Sequence, residues 1–233
     1  MGCASSGFIT NEEKAIQSME LELNFQKTHC HALDSVFHKY HSNGKINSEQ
    51  WKHIGSLLGL RQKDSVLCPK VSEFYKHFKE KDHYDFTKAL ALGVLMSYGS
   101  PVSKAKLLFE LFDRDCSKSL SFPEVYQMVS ILIEISVKLI PLLVSDLAVP
   151  RLPASENMVR NYLDILEANL PYITQKLTIT LVGGIGLEKV PQVSFVDQIS
   201  SLEQGKLLTP KGIRNWVYKL TLKVPPNPYY CKD

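Results

Sequence analysis

Apolar residues in this chain fall in short helical stripes interrupted by polar stretches. Phe109 and Phe112 sit three apart, and Val125, Met128, Val129 and Leu132 repeat along one helical face. Between the two stripes, the run that begins at Asp113 is polar or charged up to a lone aliphatic residue, Leu120. The pattern predicts helix, loop, helix. Aromatic residues precede an isolated apolar one twice more, as Phe37 and Tyr40 before Ile46, and as Tyr75 and Phe78 before Tyr84. Ile46, Tyr84 and Leu120 are separated by 38 and 36 residues, the spacing of a repeated unit.

The chain divides on the same signals. Residues 1–11 read as a tail, with Asn11 capping a helix from Glu12 onward. Residues 12–98 hold the two upstream units, and residues 104–233 hold the unit around Leu120. The turn-rich stretch 97–103 reads as the linker between the lobes. The longest apolar run, Val125 to Val149, contains Glu134, Lys138 and Pro141. Charges there disfavour a bilayer, so the run reads as a buried helix kinked or ended near Pro141. Pro150 and Pro153 break the chain, and Ser155 caps a helix expected to run through Leu170. The glycines of Val182–Gly186 lack the lysine and hydroxyl of a phosphate loop, so they read as a turn. The stretch 224–230 reads as an extended, aromatic end.

Composition narrows the function. The 233 residues are 44% hydrophobic and 22% charged, with 27 Lys and Arg against 24 Asp and Glu. A net charge of +3 gives no case for nucleic acid. The five cysteines are widely spaced with no CxxC pair, which argues for free thiols in a reducing, cytoplasmic compartment. His38 and His41 are three apart, but no second ligand pair stands at zinc-finger spacing. No nucleophile–base signature is present, so the chain does not read as an enzyme.

The segment Asp113-Arg-Asp115-Cys-Ser117-Lys118-Ser119-Leu120-Ser121-Phe-Pro-Glu124 carries the sharpest chemistry. Calcium takes six to eight oxygens, and a twelve-residue loop supplies them from positions 1, 3, 5, 7, 9 and 12. Counting from Asp113, these are Asp113, Asp115, Ser117, the Ser119 carbonyl, Ser121 and Glu124. With its flanking helices this segment resembles the EF-hand superfamily. The resemblance implies one calcium ion on those six residues, and a short strand at Leu120 pairing with a neighbouring loop. It implies a mainly α fold of EF-hand helix–loop–helix pairs in two lobes. Lys118 stands where such loops carry glycine at a positive φ, which predicts a cost of roughly 1 kcal/mol and modest affinity.

The upstream units resemble degenerate copies. Relative to Ile46, position 12 is Gln50; relative to Tyr84 it is Lys88; neither loop carries the acidic ligand set. A fourth hand is expected further on. One candidate is Gln192–Ile199, with Val193 in the strand position 73 residues past Leu120, and another is Gly205–Gly212.

The chain begins Met1-Gly2-Cys3-Ala4-Ser5-Ser6, the pattern for myristoylation at Gly2. One acyl chain holds a membrane only marginally, and Cys3 offers a second through palmitoylation. The overall plan is similar to calcineurin B and the neuronal calcium sensors. That resemblance implies a peripheral membrane-associated calcium sensor or regulatory subunit, taking an amphipathic target helix in an apolar groove. The alternative is a calcium-independent adaptor in a cytoskeletal or ciliary assembly.

Overall fold

The computed structural model describes residues 10–60, 68–144, 154–201 and 204–223. The acylation pattern at Gly2 and Cys3, the break at 150–153 and the stretch 224–230 lie outside the described residues.

The protein is mainly helical. Helix α1 (Asn11–Glu20) leads through two single 3₁₀ turns into α2 (Cys30–Tyr40), strand β1 (Lys45–Asn47) and α3 (Ser48–Leu57). Next come α4 (Cys68–Lys76), the hairpin β2 (Lys79–Glu80) and β3 (His83–Asp85), and α5 (Phe86–Met96). Helix α6 (Pro101–Phe112), β4 (Ser119–Ser121) and α7 (Phe122–Ile133) form the third unit. Then follow α8 (Glu156–Glu167), α9 (Leu170–Val182), β5 (Lys189–Pro191), α10 (Gln192–Ser200), a 3₁₀ segment at Gln204–Leu208, and α11 (Pro210–Thr221).

The helix starts follow local chemistry. Thr10, rather than the expected Asn11, caps α1 by accepting from the Glu13 N–H at 3.2 Å. Ser100 caps α6 ahead of Pro101, so the connection expected at 97–103 shortens to residues 97–100, between α5 and α6. Ser155 caps α8 as expected, but that helix stops at Glu167 and a separate α9 starts at Leu170. Pro171 explains the break, because its ring cannot follow a helical turn without a clash yet fits the first turn of a new helix.

The strands join the loops in pairs. β1 lies antiparallel to β3 with Ile46 opposite Tyr84, and β4 lies antiparallel to β5 with Leu120 opposite Val190. Ile46 and Leu120 are fully buried and Val190 nearly so. The strand position of the fourth unit is therefore Val190. Val193, which spacing favoured, is 73% exposed. The alternative stretch 205–212 is not a helix–loop–helix unit; it is a 3₁₀ turn leading into α11.

Helix continues past α7 in altered form. Residues Glu134–Leu139 widen to a π-helix, and Ile140–Leu143 tighten to 3₁₀. Pro141, which has no N–H to give, is the physical cause. Phe122–Leu143 is long and apolar enough to span a bilayer, with mean hydropathy 1.6, but 67% of its most apolar 18-residue window is buried inside the protein. It is the central core helix, as the charges in the run predicted.

The π turn has a further consequence. The Ile140 N–H bonds to the Ile135 carbonyl, which leaves the Ser136 carbonyl without its helical donor. Arg214 of α11, fully buried, donates to that carbonyl at 3.1 Å. The same guanidinium donates to both oxygens of Glu13 at 2.6 and 2.9 Å and to Glu20 at 2.7 Å. Tyr162 of α8 donates to Glu13 at 3.1 Å. Helix α1 is thereby fastened to the C-terminal elements, although the sequence grouped its residues with the first lobe.

Candidate metal centre

Residues 113–118 form a turn closed by side-chain acceptors. The Asp113 Oδ1 accepts from the Ser117 N–H at 3.0 Å, and its Oδ2 accepts from the Lys118 N–H at 3.0 Å. Asp115 Oδ1 accepts from the same Ser117 N–H at 3.1 Å. The Ser117 hydroxyl reaches the Ser119 carbonyl at 2.8 Å. Four of the six expected ligand positions, Asp113, Asp115, Ser117 and Ser119, thus gather around Ser117. The hydrogen bond from Ser117 holds the Asp115 carboxyl below the usual range, and Lys189 across the strand pair adds to this.

The backbone at Lys118 has a φ of 60°, the left-handed conformation the loop pattern demands of its sixth residue. Cys116 is also left-handed, at 55°, which the sequence did not foretell. Each costs roughly 1 kcal/mol, partly offset by the two N–H groups that Asp113 satisfies.

The last two ligand positions face one another. Glu124 Oε2 accepts from the Ser121 N–H at 2.8 Å and from the Ser121 hydroxyl at 2.7 Å. Glu124 here serves the start of α7, the reciprocal arrangement of a helix-capping Ser-x-x-Glu. Among the described residues no three His, Cys, Asp or Glu side chains stand together as a metal-binding group. Asp113, Asp115 and Glu124 are near neighbours in one loop without being closed on a common point. The donor set itself fits a hard cation, being all oxygen, with three carboxylates for two positive charges.

In the other three loops the residues at the corresponding positions take structural roles. Gln50, four residues past Ile46, accepts from the Asn47 N–H at 2.8 Å and caps α3 as Glu124 caps α7. Lys88, four past Tyr84, reaches Glu134 at 3.2 Å and ties α5 to the core helix. The hairpin β2–β3 fills what would be the second loop. In the fourth unit the turn after α9 offers Gly183, Ile185 and Leu187 where side-chain oxygens would stand. The signals for α9 were present: Pro171 at its start, Gly183 at its end with φ 103°, and Leu170, Ile173, Leu177 and Leu181 at helical spacing.

Four histidines lie in two close pairs, His29 with His31 at 5.4 Å and His38 with His41 at 5.6 Å between ring centroids. His38 sits 3.1 Å from Asp34, and His41 stacks on Phe86 with ring centroids 4.1 Å apart. Burial and the His38 charge together push the His41 imidazole down.

No protein-family model matches the chain, and no curated protein matches it.

Proposed function

We propose that the chain is an EF-hand-like calcium-binding regulatory protein of the membrane surface, with a single ion site at Asp113–Glu124. The observation that carries this reading is the third loop's oxygen set, gathered around Ser117 and backed by the Leu120–Val190 pairing. Asp113, Asp115, Ser117, the Ser119 carbonyl, Ser121 and Glu124 would hold the ion, which would supply positive charge at the loop. Glu124 would have to give up its bonds to Ser121 to join the set, and that exchange, with Lys118 held left-handed, predicts modest affinity. The acylation pattern at Gly2 and Cys3 supports the membrane assignment, and the amphipathic helix of a target remains the expected partner.

The second reading is a calcium-independent adaptor. It is favoured by a loop already satisfied by its own donors and by the buried Arg214 junction that holds α1 against the C-terminal elements. Titration calorimetry separates the two. A calcium sensor gives a binding heat that Glu124→Gln removes, while an adaptor gives none at millimolar calcium.

A further inference from the structure

Phe122 and Tyr126, one turn apart at the start of α7, share a cleft with Pro171 and Tyr172, beside the break between α8 and α9. With Asn169 and Gln175 they line a space of about 490 Å³. Tyr126 is 41% exposed and Tyr172 50%, so two phenol rings stand half in solvent at its edge. Lys176, one turn past Tyr172, lies 5.9 Å from that ring's centroid and steadies it. Among the described residues no charged side chain lines the cleft. Asn169 stands at the start of α9 without capping it, which leaves its amide for another partner.

One segment of the chain has the matching chemistry. Residues 224–230 read Val-Pro-Pro-Asn-Pro-Tyr-Tyr and carry no charge. Pro225 and Pro228 are three apart, the repeat of a polyproline II helix, so that form would present both on one face. Proline fixes φ in advance, and Val224, Pro225 and Asn227 each precede a proline, which biases them to the same region. Such a segment loses little entropy on docking, and aromatic-lined grooves are what receive it. Its carbonyls make no internal hydrogen bonds and accept from amide side chains instead.

The segment starts within reach of the cleft. Lys223 precedes it at the end of α11, and α11 packs against α7, α8 and α9, the helices that build the cleft. Tyr218 of α11 meets Tyr162 of α8 with ring centroids 5.6 Å apart. Ala168, also at the cleft, is about 9 Å along the chain axis from Tyr162, and Lys223 at most about 8 Å from Tyr218. With packed helices about 10 Å apart, the cleft lies within about 20 Å of Lys223. Seven residues in polyproline II form, at about 3.1 Å each, span that distance.

We propose that this cleft is a polyproline-binding groove occupied by the chain's own segment 224–230. Its proline rings lie against Tyr126 and Tyr172, and the Asn169 and Gln175 amides donate to its carbonyls. The docking stands apart from the calcium reading and holds whether or not the third loop takes an ion.

Cys231 directly follows the segment, so disulfide trapping in the full chain tests the docking. Ala168→Cys puts a thiol at the cleft. Asn161→Cys puts one on the same helix, exposed, outside the cleft and next to Tyr162. Diamide serves as oxidant, and linked peptides are identified by mass spectrometry. The proposal expects an intrachain link to Cys231 at least tenfold faster from Ala168→Cys than from Asn161→Cys. Adding Tyr126→Ala and Tyr172→Ala should abolish that preference. In the otherwise native chain, the Tyr126 and Tyr172 ring resonances should shift when Pro225, Pro226 and Pro228 are all changed to alanine. Equal rates at the two positions, zero included, overturn the proposal, as do ring resonances indifferent to the prolines. Links between two chains in place of links within one also overturn it, and would assign the cleft to a second copy.

Discussion

Three side chains concentrate the energetics of the molecule. Arg214 is fully buried with two carboxylates, and removing one partner of such a group leaves the rest uncompensated at a cost of about 3–5 kcal/mol. Arg214→Met should lower the urea unfolding free energy by that order, and Glu13→Leu combined with it should recover part of the loss. Lys104 is a second case. It is 5% exposed and donates to the Leu95 carbonyl at 2.9 Å and the Leu208 carbonyl at 3.3 Å, joining the end of α5 to the 3₁₀ segment ahead of α11. Burial pushes its ammonium down to about 8 from 10.5. The folded pKa lies below the unfolded one, so the unfolded chain holds more protons between those values and stability rises with pH there. Below pH 8 both states are charged and the full penalty stays. The stability of the native chain relative to Lys104→Met should therefore climb from about pH 8 to 10.5, by on the order of 3 kcal/mol. Equal pH slopes in the two proteins would contradict the burial of that charge. Glu124 is the third, because its carboxylate is both a ligand candidate and the cap of α7. Glu124→Gln keeps a capping side chain at that position, so thermal unfolding should move by less than about 1 kcal/mol while metal binding is lost.

At the scale of elements, the strand pairs hold the helix pairs in register. Leu120 has no exposed surface and lies opposite Val190, so Leu120→Ala should cost about 2–5 kcal/mol, read from denaturant midpoints. The first three units were legible because their apolar stripes and isolated strand residues recur at near-equal intervals. Ile46, Tyr84 and Leu120 all lie on strands, and Ile46 pairs with Tyr84. The fourth was misplaced by three residues. Val193 looked equivalent by spacing, but α8 and the segment after α7 are inserted before that unit, so equal intervals no longer apply. The hydrogen-bond register, which singles out Val190, is a tertiary property. The same limit holds for Ser136. A proline at 141 foretold a disturbed helix, yet nothing local foretold that the freed carbonyl would meet an arginine 78 residues later. Within the loop, spacing proposed six oxygen positions, of which Asp113, Asp115, Ser117 and Ser119 lie within hydrogen-bond reach of one another. The pairing of Glu124 with Ser121 was not read, although Ser-x-x-Glu is itself a capping signature.

At the scale of the whole molecule, α1 is clamped to α11 by Arg214 and to α8 by Tyr162, far along the chain from its own neighbours in sequence. Metabolic labelling with a myristate analogue should mark the native chain and not Gly2→Ala, and labelling of both alike would remove the anchor. The most direct measurement of the calcium site follows backbone amides by two-dimensional NMR as calcium is added. Ser117 and Lys118 donate to Asp113, and Ser121 donates to Glu124. If those carboxylates turn to an ion, these three resonances shift first and saturate together, and in Glu124→Gln they stay still. Calcium that leaves all three unmoved at millimolar concentration would contradict an ion site in this loop.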